Sequence, residues 1–291
     1  VRLIGQMRVP FGDSSLLPSY WVSRAAHGAV GVALGGDGGD ELFGGYDRYR
    51  AAGLAALRAP GARFVAGLLE RGARPGSRRA RAARLLHAGA GDGYPDLVSV
   101  FPGHELARLF PAARPAPPTG ARPASADEAI AWDVRWYLPH DLLRKTDSAS
   151  MACPIEVRSP FLDSNLAGLA LRARLESLMP GGERKGLLRA VARRHLPAAL
   201  ADRPKRGFAI PVGRWLREDF GGLGTLLRDR LASTEPFGPP ALGIDPDRRR
   251  VQALVREHMG GVRDHAQRLY LLLVLSLWAE RMGRVLAGKA E

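Results

Sequence analysis

The sequence contains very little cysteine and lysine and no long uninterrupted apolar run. A single cysteine, Cys153, among 291 residues excludes an internal disulfide framework and a cysteine cluster for zinc, which fits a reducing cytoplasm. The longest apolar run, Leu269 to Trp278, is too short to span a bilayer and contains Tyr270 and Ser276, so it predicts a buried helix. No signal peptide precedes the first motif, and we expect a cytoplasmic protein without a membrane partner.

The charge of the chain is strongly one-sided. Lys and Arg number 43 against 29 Asp and Glu, which gives a net charge of +14, and lysine occurs only at positions 145, 185, 205 and 289. The aromatic residues do not interleave with the arginines, and no helix-turn-helix, RRM or zinc pattern occurs, so the sequence argues against a nucleic-acid partner. Anionic substrates remain compatible with such a basic field. The apolar content of 46% is enough for a substantial core.

The most informative stretch runs from Val30 to Arg50. Val30, Val32 and Leu34 alternate with small residues and predict a short buried strand. A loop with four glycines follows, at Gly35, Gly36, Gly38 and Gly39. Such a loop allows a ligand to approach the backbone closely, and the helix start that comes next favours a phosphate group.

Three acids lie in the same glycine loop, namely Asp37, Asp40 and Glu41. Carboxylates repel a phosphate unless a divalent cation lies between them or one of them acts as a base, so the pattern favours magnesium-nucleotide chemistry. A plain Gly-Asp turn with an acidic first helical turn is the alternative, and spacing alone leaves both interpretations open.

Helix signals appear in several other places. Ser125 and Glu128 form a capping-box pattern that predicts a helix start, and Pro139 predicts that this helix ends or kinks. Residues 51–90 and 267–286 have helical patterns.

Two further stretches place charged residues among apolar ones. Residues 137–163 alternate charges of both signs with apolar positions, which is typical of paired structural ions or of a binding site. Residues 203–211, R-P-K-R-G-F-A-I-P, are either an exposed turn or an anion clamp, and the local sequence favours the turn.

Seven motifs occur in order along the chain. They are P-F-G-D-S-S at 10–15, D-G-G-D-E-L-F-G-G-Y at 37–46, Y-L-P-x-D-L-L-x-K-x-D at 137–147, S-M-A at 150–152, E-x-R-x-P-F-L-D at 156–163, K-x-x-L-R at 185–189 and R-P-K-x-G-F-x-x-P at 203–211. In this combination the chain resembles the synthetase half of glutamine-dependent asparagine synthetases.

The resemblance implies a chemistry and a set of substrates. Enzymes of this family use MgATP to convert the side-chain carboxylate of aspartate into an acyl adenylate, and ammonia then displaces AMP. The ammonia comes from glutamine in a glutaminase domain that these 291 residues do not contain. ATP and Mg²⁺, aspartate or another carboxylate, and ammonia are therefore the expected ligands, and a homodimer stays open as a further partner.

The same resemblance suggests roles for individual residues. Asp40 would hold magnesium, Asp37 would act as the base for ammonia attack with Glu156 as a helper, and Lys205 would stabilise charge on the α-phosphate and the leaving pyrophosphate. The nucleotide would be bound by Gly35, Gly36, Gly38, Gly39, Lys145 and Arg158. Arg158 could instead pair with Asp163 or Glu156.

The implied fold is the C-terminal part of a parallel-sheet α/β domain of the adenine-nucleotide hydrolase or ATP pyrophosphatase type. We expect residues 1–50 to be the end of its nucleotide-binding core and residues 51–291 to be a helical remainder, so the chain as given should be mostly helical with few strands. The family's S-G-G-x-D-S loop does not occur in the chain, and the first residue is Val1 rather than methionine. Both observations suggest an N-terminally truncated sequence.

Two departures leave other functions open. Gly35 stands where the family usually has serine, and Ser148 stands where it has a basic residue. A truncated, non-catalytic remnant or interaction protein is one alternative. Another is a specialised amide-forming relative, such as a β-lactam synthetase-like enzyme, although some of these carry tyrosine at the position of Asp37.

Overall fold

The computed structural model describes residues 3–4, 7, 9–56, 61–70, 77–112, 122–203, 210–232 and 237–288. Within these residues the chain is mostly helical and contains one sheet of two parallel strands, as predicted. The division into residues 1–50 and 51–291 stays a prediction.

The first half of the chain contains short helices around one strand. In chain order they are α1 (Leu16–His27), β1 (Val32–Leu34), α2 (Gly39–Leu42), α3 (Arg48–Ala56), α4 (Ala62–Glu70), α5 (Arg78–Ala90), α6 (Tyr94–Val98), α7 (Gly103–Leu109) and α8 (Ala126–Trp132). The helical pattern predicted over 51–90 therefore corresponds to α3, α4 and α5, and residues 57–60 and 71–76 lie outside the described part.

The second half contains the other strand and the longest helix. Its elements are a π-helix (Asp133–Leu143), α9 (Arg144–Met151), β2 (Glu156–Arg158), α10 (Ser164–Arg172), α11 (Leu175–Leu178), α12 (Gly186–His195), α13 (Ala198–Ala201), α14 (Val212–Arg217), α15 (Leu223–Ala232), α16 (Arg248–Met259) and α17 (Ala266–Leu286). Short 3₁₀ turns occur at Pro160–Leu162, Pro180–Gly182, Phe220–Gly222 and Pro240–Leu242.

β1 and β2 pair in parallel, with Val32 opposite Glu156 and Leu34 opposite Arg158. The predicted strand exists, but the prediction that it is buried is wrong. Val32 and Leu34 lie on one face of β1, and Val30 lies two residues before Val32; the exposed fractions of Val30, Val32 and Leu34 are 45%, 47% and 76%. Parallel sheets are normally covered on both faces, whereas the described residues leave this face open.

The helix signals near Ser125 are confirmed in part. The hydroxyl of Ser125 accepts a hydrogen bond from the N–H of Glu128 at 3.2 Å, which caps α8. Pro139, however, does not end the helix. It lies inside the π-helix that joins α8 to α9. The wider turn of a π-helix accommodates the missing N–H of proline within a continuous helical segment.

Three apolar clusters form the interior. The first joins α14 to α17 with residues of the α7 region, and in it Leu269, Leu272 and Leu273 bury one side of α17 as predicted. The second joins α2, α3, α6, α8 and α10 around Leu42 and Tyr49. The third packs α1 against α9. None of the helices in the described ranges is both long and apolar enough to cross a membrane.

Candidate functional site

The parallel pairing of β1 and β2 brings two of the sequence motifs to one edge of the sheet. The N–H of Gly35 donates to the carbonyl of Arg158 at 2.7 Å, which continues the strand ladder into the acidic loop. A Cβ at Gly35 would lie 3.6 Å from Oδ2 of Asp37. The Asp37 carboxylate therefore lies near the carboxyl ends of both strands. Arg158 is the last residue of β2 and lies at that end, whereas Glu156 is the first residue of β2.

The glycines of the loop serve different purposes. Gly38 has φ +86°, and a Cβ there would lie 2.3 Å from Leu162. A Cβ at Gly39 would lie 3.2 Å from the ring of Phe161, whereas Gly36 has nothing within 4 Å. Gly38 and Gly39 are thus required by the turn and its packing. Gly36 is the loop glycine whose backbone faces open space.

Asp40 contacts a cation from a distant part of the chain. Its Oδ2 lies 3.2 Å from Nζ of Lys185, the residue that precedes α12. Its carboxylate also packs on Gly45, where a Cβ would come within 1.9 Å of Oδ1, so only glycine fits there. Lys185 is a non-glycine residue with a left-handed backbone, at φ 53°.

Lys185 was not predicted as a site residue from the sequence, although it is the first residue of the K-x-x-L-R motif. A left-handed lysine costs conformational energy, and such strain concentrates at functional positions. The motif was the available signal, because neither the backbone angle nor the contact with Asp40 can be derived from local sequence.

Glu41, the third acid of the loop, points into the interior. It is buried, and the hydroxyl of Tyr46 donates to its Oε1 at 2.6 Å. Burial raises the pKa of Glu41, and the charges of Asp40 and Asp133 act in the same direction, against the hydrogen bond from Tyr46. Glu41 therefore supports the loop from within.

A buried polar network holds the helix that follows the loop. Nη2 of Arg48 donates to Oδ2 of Asp133 at 2.6 Å, and the hydroxyl of Tyr49 donates to the same oxygen at 2.8 Å. The guanidinium of Arg48 also lies 3.8 Å from the ring centre of Tyr46. This network ties α3 to the π-helix directly below the acidic loop, and truncating one member would leave a buried charge unpaired.

Glu156 and Arg158 form an ion pair on the surface. Nε of Arg158 lies 2.8 Å from Oε1 of Glu156, and both side chains are more than half exposed. The hydrogen bond to Glu156 raises the pKa of Arg158. Asp163, the other predicted partner of Arg158, instead caps α10 by accepting from the N–H groups of Asn165 and Leu166.

The remaining predicted binding residues lie elsewhere or outside the described residues. Nζ of Lys145 lies 3.0 Å from Oδ2 of Asp13, in the turn before α1. The hydroxyl of Ser15 also donates to Asp13, so Ser15 does not cap α1. Lys205 lies outside the described residues.

The described residues do not form a metal cage of their own. Among them, no group of three or more His, Cys, Asp or Glu side chains could hold a metal ion. Mg²⁺, however, is commonly held by one or two carboxylates together with substrate phosphates and water. Asp40 at the mouth of the glycine loop fits that partial role, with Lys185 as a competing partner for its carboxylate.

Comparison with known proteins decides the family. The model of the family described as "Asparagine synthase" matches residues 1–280. The chain belongs to the asparagine synthase family. It is 31% identical over 294 residues to a Mycobacterium tuberculosis protein provisionally named asparagine synthetase [glutamine-hydrolyzing], covering 95% of this chain and 43% of that protein.

Two other relatives extend the comparison. Asparagine synthetase [glutamine-hydrolyzing] 1 of Bacillus subtilis is 25% identical over 306 residues, covering 95% of this chain and 44% of that protein. A Methanocaldococcus jannaschii protein with a related provisional name is 62% identical over 37 residues, covering 13% of this chain and 7% of that protein. The chain thus spans less than half the length of the first two relatives. No solved structure gives a significant match.

Proposed function

We propose that the protein catalyses ATP-dependent amide formation and that its substrate is the side-chain carboxylate of aspartate. The observation that supports this most is the parallel pairing of β1 with β2. It joins the strand that leads into Asp37 and Asp40 to the strand that carries Glu156 and Arg158, and Lys185 lies 3.2 Å from Asp40. Membership of the asparagine synthase family supports the use of ATP and aspartate.

The proposed reaction has two steps. In the first, a carboxylate oxygen of aspartate attacks the α-phosphorus of ATP, the bond from this phosphorus to the bridging oxygen breaks, and pyrophosphate leaves. In the second, the nitrogen of ammonia attacks the acyl carbon, the bond from this carbon to the AMP oxygen breaks, and the nitrogen gives up a proton. The products are AMP, pyrophosphate and the side-chain amide.

The acidic residues have distinct roles in this proposal. Asp37 accepts the proton from the attacking nitrogen, and Glu156 assists from the neighbouring strand end. Asp40 contributes a carboxylate to Mg²⁺, which when bound neutralises charge on the phosphates. The backbone of Gly36 faces the nucleotide, since it is the loop glycine with open space beside it.

The basic residues stabilise negative charge. Lys185 pairs with the Asp40 carboxylate at 3.2 Å and adds positive charge beside the phosphates. Arg158 and Lys205 are further candidates for contacts with the phosphates, whereas Lys145 is paired with Asp13 in the turn before α1. Ammonia is supplied by glutamine hydrolysis outside these 291 residues.

The test is a product assay on the full-length protein with MgATP, aspartate and ammonium chloride. Ammonium replaces glutamine, so that the outcome does not depend on a glutaminase. We expect AMP and pyrophosphate in equal amounts, with AMP release dependent on both aspartate and ammonium. Asp40→Asn should lower the rate by about 10²-fold or more, because it removes charge that is needed beside the phosphates.

The matched control is Asp47→Asn. Asp47 lies seven positions after Asp40, but it is exposed and pairs with Arg184 at the surface at 3.3 Å. The rate of AMP release in Asp47→Asn should therefore stay close to that of the wild type. Absence of AMP with aspartate would contradict the proposal and favour the non-catalytic interpretation. An unchanged rate in Asp40→Asn would remove Asp40 from the metal role.

A further inference from the structure

A second recess lies away from the acidic loop. It has a volume of about 680 Å³ and is lined by the end of α4, by α5, by the α6–α7 region, by α14 and by the turn that enters α17. Among the described residues, none from 35–41, from β2 or at Lys185 lines it. None of these described residues of the site proposed for amide formation therefore belongs to the recess, and Lys205 lies outside the described residues.

The lining of the recess carries more positive than negative charge. Six arginines face it, at positions 81, 84, 214, 217, 263 and 268, against four carboxylates at positions 70, 96, 105 and 264. The carboxylates are already engaged. Glu70 pairs with Arg263, and Glu105 pairs with Arg268 at 2.8 Å. Asp96 accepts from two backbone N–H groups, and Asp264 accepts from the N–H of Ala266 at 3.0 Å.

Three of the six arginines have no carboxylate partner. Arg81, Arg84 and Arg217 make no ion pair with any described residue. Arg214, by contrast, pairs at 3.2 Å with Glu218, which does not line the recess. The contact of Arg84 is to the backbone carbonyl of Ser99, at 3.4 Å. The recess therefore contains positive charge that the described protein does not neutralise.

The surroundings of Arg84 also contain more positive than negative charge. Partial desolvation in the recess wall lowers the pKa of its guanidinium, and the positive charges of Arg268 and Arg48 act in the same direction. Positive groups held this close together repel one another, and an anion between them would relieve that repulsion.

We propose that this recess binds a small molecule that carries a phosphate group. Guanidinium groups match phosphate oxygens with paired hydrogen bonds, which makes arginine the preferred residue for this recognition. The volume is within the range of small-ligand pockets. Arg81 and Arg84 lie one turn apart on α5, Arg217 lies on α14, and we assign the phosphate to these three guanidinium groups.

The experiment measures binding of inorganic pyrophosphate to the full-length protein by calorimetry, without divalent metal, aspartate or ammonium. We expect Arg81→Gln and Arg84→Gln each to weaken binding by about tenfold, because each removes a charged hydrogen-bond donor. Arg84→Lys keeps the charge and should retain part of the affinity. Thermal unfolding of each variant checks that the fold is intact.

Matched variants separate this site from general attraction and from the acidic loop. Arg78→Gln removes the same charge from the same helix but does not line the recess, so it should bind like wild type. Lys185 does not line the recess, so the pyrophosphate binding that is lost in Arg84→Gln should persist in Lys185→Met, even if binding at the acidic loop weakens. Equal loss in Arg78→Gln, loss of that same binding in Lys185→Met, or no binding at all would each overturn the proposal. Citrate binding as tight as pyrophosphate would overturn the assignment to phosphate. Because no turnover is measured, these outcomes are independent of the proposed amide formation.

Discussion

At the scale of single residues, Asp141 is the acid whose environment gives the clearest pH dependence. Burial, and then the negative charge of Asp13, raise the pKa of Asp141 to about 6, against the opposing charge of Lys145. A carboxyl with a higher pKa in the folded than in the unfolded protein binds more protons when folded. Its contribution to stability is therefore present at low pH and is lost as the pH rises through about 6.

We predict that Asp141→Asn becomes more stable relative to wild type as the pH rises. Asparagine cannot ionise, so the variant avoids the cost of burying a charge at high pH. Between pH 4.5 and 7.5 the difference in unfolding free energy should shift by roughly 2 kcal/mol in favour of the variant. Urea unfolding at both pH values measures it. Asp229→Asn, an exposed position on α15, should show no such shift, and an equal difference at both pH values would contradict the prediction.

Single residues of the candidate site could be selected from the sequence, but their contacts with distant residues could not be predicted. Asp37, Asp40, Glu156 and Arg158 could be selected because each lies in a dense motif. The pairing of β1 with β2, which brings together the two motifs that contain these residues, joins positions more than a hundred residues apart, and no local pattern reveals it. Lys185 was missed for the same reason, since its contact with Asp40 arises from a left-handed backbone in a turn remote from the loop.

At the scale of elements, the start of α8 depends on one capping side chain. The hydroxyl of Ser125 accepts from the N–H of Glu128, and Oε2 of Glu128 accepts from the N–H of Ala124 at 2.7 Å. We predict that Ser125→Ala lowers the unfolding free energy by about 1 kcal/mol, because an N–H of the first turn loses its partner. Urea unfolding measures this change.

The control for the cap is Ser164→Ala. Ser164 is exposed at the first position of α10, where Asp163 already supplies the cap. Its replacement should change the unfolding free energy by less than about 0.5 kcal/mol. Equal losses in the two variants would show that the Ser125 hydroxyl does not stabilise α8 by capping.

Elements were predictable from sequence where the signal was local. The capping box before α8 and the apolar pattern of α17 belong to this group, since each depends on residues within a few turns. Of the two outcomes predicted for Pro139, the end of the helix does not occur, because the rule that proline ends a helix assumes regular α-helical hydrogen bonding. The segment Asp133–Leu143 is a π-helix, whose backbone hydrogen bonds follow a different spacing, and its first residue, Asp133, accepts buried hydrogen bonds from Arg48 and Tyr49.

At the scale of the whole molecule, burial could not be read from one segment. Alternation at Val30, Val32 and Leu34 identifies a strand, but burial depends on what other elements cover it. In the described structure the three apolar clusters bury helices on either side, while this strand face is open to solvent. An open apolar face on a parallel strand favours association with another apolar surface.

This exposure gives a prediction for a protein of these 291 residues. The double variant Val32→Thr and Leu34→Thr should bind less of a hydrophobic fluorescent dye and sediment with less self-association, because it removes apolar area from the open face. Threonine suits a strand, so the unfolding free energy should change little. The control is Val262→Thr, which alters an apolar side chain as exposed as that of Leu34, in the turn between α16 and α17. Dye binding that falls as much in the control as in the double variant would show that the strand face is not the surface responsible.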